Sequence, residues 1–180
     1  MTFTEATYAD LDRICEIIRQ AQAQMRALGS RQWQDGYPAP ANIEEDIARG
    51  YGYVLRKSEG ESKGRSEGGD PDAGRVIAYG AVIFDGEPAY EALDGKWLTD
   101  RQYVVLHRMA VADGEKGRGV AREFMCRTEA LARERGIGSF RVDTNFDNRY
   151  MLRLLDGLGF VYCGRIVYAS GERLAFEKRI

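Results

Sequence analysis

The sequence predicts a single α/β domain over residues 1–180, and three observations carry that reading. Strand-like apolar runs and helix-like apolar spacings take turns along the chain. The length of 180 residues is that of one domain, and a hydrophobic content of 44% is enough to fill a core. The stretch Lys116-Gly117-Arg118-Gly119-Val120-Ala121 lies between the apolar run Tyr103–Ala112 and a long helical pattern, which makes a strand–loop–helix unit.

Taken in order, residues 2–6 read as a short strand. Thr7 is a suitable N-cap with Asp10 three residues on, ahead of Leu11, Ile14, Cys15, Ile18, Ala21 and Met25 at helical spacing, and Gly29 stops the helix. Residues 30–41, with Trp33, Tyr37, Pro38 and Pro40, predict an irregular connection. Asn42 with Glu45 predicts the cap of a short second helix ending at Gly50. Tyr51–Arg56 and Arg75–Phe84 are strands. Residues 57–74 between them are almost all Gly, Ser and charge, a composition that buries too little to hold one conformation, so a flexible polar hairpin extension is expected there. Residues 85–101 are irregular but carry Tyr90, Leu93, Trp97 and Leu98, which predicts packing. After the strand Tyr103–Ala112 come a helix over about Gly117–Arg135, a strand at Ser139–Thr144, and a helix at Asn148–Leu158 with Met151, Leu152, Leu155 and Leu158 along one stripe. Val161–Tyr168 and Arg173–Lys178 close the chain as a hairpin around Ser170-Gly171.

The unit at 116–121 has the features of an anion cradle. Glycines let the backbone approach a phosphate closely, the first turn of a helix presents unpaired N–H groups, and Lys116, Arg118 and Arg122 add positive charge. The spacings of a nucleotide-triphosphate loop and of a dinucleotide fingerprint are both missing. What the stretch resembles is the acyl-CoA loop of the GNAT N-acetyltransferase superfamily, which reads Gln or Arg, two residues, Gly, one residue, then Gly or Ala. Here Lys116-x-x-Gly119-x-Ala121 fills that pattern with lysine first, a point charge in place of a planar fork. The order strand, loop, helix, strand, Asn148 opening a helix, then Leu158-Gly159-Phe160 and a further strand resembles the superfamily's C-terminal half over roughly residues 102–180.

That resemblance implies a mixed, mostly antiparallel sheet of six or seven strands with helices on both faces. It implies acetyl-CoA as co-substrate, with Lys116, Gly117, Arg118, Gly119, Val120 and Ala121 at the diphosphate and the backbone of Met109, Ala110 and Val111 along the pantetheine arm. Asn148 matches an asparagine that contacts the cofactor, although helix capping alone would also explain it. The acceptor amine must arrive neutral, and a free alkylamine has a pKa near about 10, so some group must take its proton. His107, the single histidine, lies two residues before Met109, and simple alternation puts both on one strand face. A lone histidine packed for structure is the competing account.

The superfamily tyrosine expected seven residues after the helix-opening asparagine is Leu155 here, so Tyr150, Tyr162, Tyr168 or water must serve as acid. Asp143 and Asn145 share a strand face and are candidates for substrate binding. The acceptor pocket is expected from residues 25–40, including Trp33, Gln34, Asp35 and Tyr37, and from residues 87–100. An aromatic and acidic lining suits a small cationic amine, while core packing accounts equally for Trp33 and Trp97.

A net charge of −2 gives no general pull toward nucleic acid or anionic membrane, so nucleic acid is not an expected partner. Cys15, Cys126 and Cys163 form no CxxC pair and have no histidine cluster beside them, which argues against zinc and a disulfide framework; Cys15 and Cys126 read as small core residues and Cys163 as structural. No signal pattern or membrane-length apolar run is present, so a cytoplasmic protein is expected. The predicted function is acetyl-CoA-dependent acetylation of a small amine or peptide amine by direct attack in a ternary complex, with homodimerisation left open. A catalytically silent acyl-CoA-binding regulatory module is the alternative that Leu155 keeps in play. Acetylation of an aminoacyl-tRNA or ribosomal protein would call for a basic face, for which Arg127, Arg133 and Arg135 are the local candidates.

Overall fold

The computed structural model describes residues 1–58 and 73–180, so most of the hairpin extension expected at 57–74 lies outside the described residues. Its base is described: Lys57 and Gly74 to Arg75 pair through their backbones, which continues the hairpin past its flanking strands.

Among the described residues the chain forms β1 (Thr2–Glu5), α1 (Leu11–Ala27), α2 (Pro40–Ala48), β2 (Gly52–Arg56), β3 (Val76–Ile83), β4 (Asp94–Gly95), β5 (Tyr103–Val111), α3 (Val120–Glu134), β6 (Ser139–Thr144), α4 (Arg149–Gly157), β7 (Val161–Tyr168) and β8 (Gly171–Arg179). The strands make one sheet in the order β1-β2-β3-β5-β6-β8-β7-β4. Every neighbouring pair is antiparallel except β5 with β6. The parallel pair needs a crossover, and α3 provides it.

Alternation divides each strand between two cores. Tyr53, Leu55, Ala78, Val82, Val104, Leu106, Phe140 and Val142 turn to the face covered by α3 and α4, where Phe124, Met125 and Leu155 meet them. Val54 and Tyr79 turn to the opposite face under Ile14, Ile17 and Ile18 of α1 and Ile43 of α2. Farther along that face, Val105, Ile166 and Ala175 are covered by Tyr90 and Trp97. Helices on both faces of a mostly antiparallel sheet are therefore observed, with Leu155 fully buried in the core.

The eighth strand, β4, lies in the segment 85–101, where the sequence predicts only irregular packing. It consists of two residues, too short for a period to register, and it exists because two glycines let backbones meet. A Cβ on Gly95 would stand 2.1 Å from the Cys163 carbonyl oxygen, and one on Gly164 would stand 2.3 Å from that of Asp94. Gly164→Ala should therefore strip β4 from β7 and destabilise the fold by roughly 1–3 kcal/mol, the usual cost of overpacking; an unchanged denaturation midpoint would show the contact to be dispensable.

A buried charge network anchors the same segment. Glu177, with no exposure, accepts from Ser139 Oγ, Thr99 Oγ1 and the Leu98 N–H. Its neighbour Arg141 lies with Cζ 4.2 Å from the Trp97 ring centre and 3.9 Å from that of Tyr103, and donates to the Thr99 carbonyl at 2.6 Å. Trp97 is thus a core residue and not a pocket wall.

Local signals held where they were backbone chemistry. The Thr7 N–H donates to Asp10 Oδ2 at 2.9 Å, and Gly29 takes φ +75° after α1. Three expectations shift. Helix α2 begins at Pro40 with Ala39 as cap, because proline suits the first helical position, and Asn42 instead reaches back to accept from the Ala39 N–H at 2.9 Å. Helix α3 begins at Val120 and not Gly117, since Gly117 and Gly119 adopt φ +75° and +81°, outside the helical range. Cys126 is exposed on α3 and is no core residue.

Candidate active site

Strands β5 and β6 pair only from Tyr103↔Ser139 to Val105↔Arg141. Beyond Val105 they part, leaving the later half of β5 bonded to β3 on one side and open on the other. The Ala112 N–H donates to the Ile77 carbonyl, so the alternation of an antiparallel ladder points the Ala110 amide the same way and turns that of Val111 toward the gap. Of the three backbone partners that the sequence proposes, Val111 turns its amide to the gap, Ala110 belongs to the β3 ladder, and Met109 lies in the bulge described next.

A bulge interrupts β5 at this point. Tyr79 pairs with Ala110 and Ala81 with His107, so Arg108 and Met109 together oppose the single residue Gly80. Arg108 takes φ +55°. The extra residue reverses the alternation: Met109 packs on the α3 side, while His107 turns to the α1 side. The expectation that His107 and Met109 share a face is therefore corrected, because simple period-two counting fails across a bulge.

On the α1 side a cavity of about 420 Å³ opens above the gap, walled by residues of the α1–α2 connection, by Glu87, by His107 and Arg108, by Asp143, and by the β7–β8 turn. His107 Nε2 lies 2.8 Å from Glu87 Oε2, and Nδ1 lies 3.7 Å from Asp143 Oδ1. The bond from His107 holds the Glu87 carboxyl below the usual range. An ionised carboxylate only accepts, so the bonded ring nitrogen Nε2 is a donor to Glu87, and Nδ1 faces Asp143. Asp143 Oδ1 also accepts from Tyr90 at 2.7 Å and from Tyr168 at 3.3 Å. Burial, with the Asp143 charge, pushes both phenols far above their ordinary value.

Arg108 is the second charged group of the bulge. It grips Asp46 of α2 with two bonds, Nε at 2.8 Å and Nη2 at 2.5 Å, and donates from Nη1 to the Tyr37 hydroxyl at 2.6 Å. Burial opposes its charge, but Tyr37 and Asp46 outweigh burial and raise its pKa. Tyr79 donates to the same Asp46 carboxylate, which is 2% exposed. This network ties α2 and the α1–α2 connection to the bulge, and through it to His107.

At the other end of β5, the exposed Gly117 and Gly119 have nothing within 4 Å of where a Cβ would stand, which leaves the backbone at the start of α3 open to close approach. Gly119 caps α3 without a side chain, so the N–H groups of the first turn stay available. Lys116 rests against Asp113 at 2.5 Å and Arg118 against Glu115 at 3.2 Å, while Arg122 donates to the Gly157 carbonyl. The residue set suits a diphosphate: small, open, amide-rich and edged with cations.

The remaining candidates separate clearly. Asn148 caps α4, accepting from the Met151 N–H at 3.2 Å. Tyr150 is 54% exposed on α4, and Tyr162, 51% exposed, packs its ring on Phe176. Neither lines the cavity; Tyr168 does. Asn145 donates to Asp147 and accepts from Arg173. Trp33 and Asp35 line the cavity, whereas Gln34 bonds to Arg26 and to backbone carbonyls. Cys163 is buried, and burial pushes its thiol up, away from a nucleophile's range. Arg127 and Arg133 pair with Glu123 and Glu129, and Arg135 lies over the Phe84 ring, so the proposed basic patch is largely compensated. No helix among the described residues is long and apolar enough to cross a membrane.

Sequence reasoning missed Glu87, Arg108 and Asp46. Glu87 is an ordinary carboxylate in an irregular segment, and Asp46 lies on the polar side of a short helical pattern. Arg108 was legible only as an arginine inside an apolar strand, next to the single histidine.

The Acetyltransferase (GNAT) family model matches residues 22–160. Streptothricin acetyltransferase of Streptomyces lavendulae is 28% identical, with 72% of this chain and 74% of that protein covered. The crystal structure of a GNAT-family acetyltransferase from Streptococcus agalactiae aligns over 99% of this chain and 95% of its own at a TM-score of 0.83 and 33% identity. A more distant structure, the NatC complex bound to Gag peptide and CoA, shares the fold at a TM-score of 0.61 and 14% identity, covering 99% of this chain and 98% of its own. With the family model matching most of the chain and a GNAT-family structure 33% identical over nearly its whole length, this chain belongs to the GNAT acetyltransferase family and is an N-acetyltransferase.

Proposed function

We propose that this chain transfers the acetyl group of acetyl-CoA to a primary amine seated in the cavity beside His107, by direct attack within a ternary complex. The observation that carries this reading is the placement of a glycine-lined cradle and a histidine–carboxylate pair on the two approaches to one gap in the sheet. CoA in the related NatC structure and the streptothricin acetyltransferase relative support the cofactor and a small-molecule acceptor. When bound, acetyl-CoA supplies an acyl thioester activated toward amines.

The chain's own residues do the rest. Amides of the first α3 turn, with Lys116 and Arg118, hold the diphosphate, and the open amide of Val111 is a donor for the pantetheine arm or the acyl oxygen. Asp143 attracts the incoming ammonium. His107 takes its proton at Nδ1, with Glu87 holding the ring's tautomer and orientation as the carboxylate does in a hydrolase triad. Tyr168 lines the cavity, but its phenol is pushed far above its ordinary value and donates to Asp143, which makes it a poor proton donor, so water protonates the departing thiolate.

The cofactor half is tested by Gly119→Asp. A carboxylate on this loop should repel the diphosphate and weaken acetyl-CoA at least ten- to a hundredfold by isothermal titration, each tenfold being about 1.4 kcal/mol. Undiminished affinity in a folded variant would remove the loop from the cofactor site.

A further inference from the structure

The far wall of the cavity bears a charge that its surroundings do not neutralise. Each inward-facing arginine described above has a carboxylate: Arg108 has Asp46 at 2.5 Å and Arg141 has Glu177 at 3.5 Å. Arg173 differs. It reaches the cavity from β8, and among the described residues its bonds go to neutral oxygens: the Glu172 carbonyl at 3.0 Å, Ser170 Oγ at 3.2 Å and Asn145 Oδ1 at 3.4 Å. Those contacts occupy Nη1 and part of Nη2. Nε and one Nη2 hydrogen remain, the side edge that suits a carboxylate bidentately.

Across the cavity the charges have the opposite sign, with Glu87 and Asp143 flanking His107. Asp143 and Asn145 are two residues apart, and an extended chain rises about 3.3 Å per residue, so the cationic wall begins roughly 7 Å from the reacting end. Another polar atom of the cavity wall, Gln32 Oε1, is buried and has no hydrogen-bond partner among the described residues. A simple diamine would leave Arg173 facing a cation. A molecule with an amine at one end and a carboxylate several carbons away satisfies both ends.

Resting on the acetyl transfer proposed above, we infer that the acceptor is an amino acid-like molecule in which a carboxylate bound by Arg173 lies several bonds from the amine that His107 deprotonates. An α-amine, adjacent to its own carboxylate, is too short to bridge the two ends.

The test compares 6-aminohexanoate with its neutral amide, which keeps the same amine and chain length, as acceptors in a CoA-release assay. The acid should have the higher kcat/KM by about tenfold or more, carried mainly by KM, as expected for a charge-assisted pair. Arg173→Leu should collapse that ratio to within about twofold, and Arg173→Lys should retain part of it, with thermal unfolding confirming the fold of each. An amide used as well as the acid by the wild type, or a Leu variant that keeps the full ratio, would overturn the inference while leaving amine acetylation intact. Acetylation of neither compound by a protein that still binds acetyl-CoA would instead sink the assignment of this cavity as the acceptor site, and the inference with it.

Discussion

His107→Gln should lower turnover of a good amine by roughly 10²-fold or more, within the 10²–10⁴ that general-base catalysis contributes, while acetyl-CoA affinity stays near that of the wild type. Glutamine preserves a donor toward Glu87 but has no lone pair basic enough to take the amine's proton. The split matters, because His107 faces the α1-side cavity and not the α3 side where the cofactor loop begins. Stopped-flow or steady-state CoA release with titrated cofactor affinity checks it. Full turnover in the variant would make the ring a structural bridge between Glu87 and Asp143, and proton transfer would then fall to water or to a carboxylate.

Asp46→Ala should cost about 3–5 kcal/mol, the scale for leaving one partner of a buried ion pair alone. Arg108 would keep its charge beneath α2 with only the Tyr37 hydroxyl left, and Tyr79 would lose its acceptor. Chemical denaturation measures the loss. The double variant Asp46→Ala, Arg108→Met should recover much of it, since removing both charges also removes the unpaired one. A single variant as stable as the wild type would mean that water satisfies Arg108, and that the bulge does not depend on the pair.

Most of the architecture could be read along the chain because its determinants are local. The caps at Thr7 and Asn148, the glycine stops, and the apolar periods of α1, α3 and α4 are short-range chemistry, and seven of the eight strands are legible in their own stretch of sequence. The exception, β4, owes its existence to Gly95 and Gly164 meeting from 69 residues apart in sequence, a contact that no local window contains. The site was legible unevenly for the same reason. Its cofactor loop is contiguous and could be recognised whole, but its acceptor cavity draws on five separate segments. Tyrosine is common in strands and helices for packing alone, so Tyr150, Tyr162 and Tyr168 could not be ranked until the sheet assigned each a face.

By itself, the sequence determined the α/β class, the strand–loop–helix cradle at Lys116–Ala121 and the presence of one histidine on the strand leading to it, since composition, period and glycine spacing are properties of neighbours along a chain. Only the tertiary structure decided which way that histidine points. One extra residue in β5 reverses the alternation after His107, and the arginine of that bulge meets Asp46 of α2 from 62 residues away. Glu87, Asp143 and Arg173 likewise become a charged cavity only when the parting of β5 from β6 and the cover of residues 85–101 bring them around one space, because electrostatic partnership depends on distance in space.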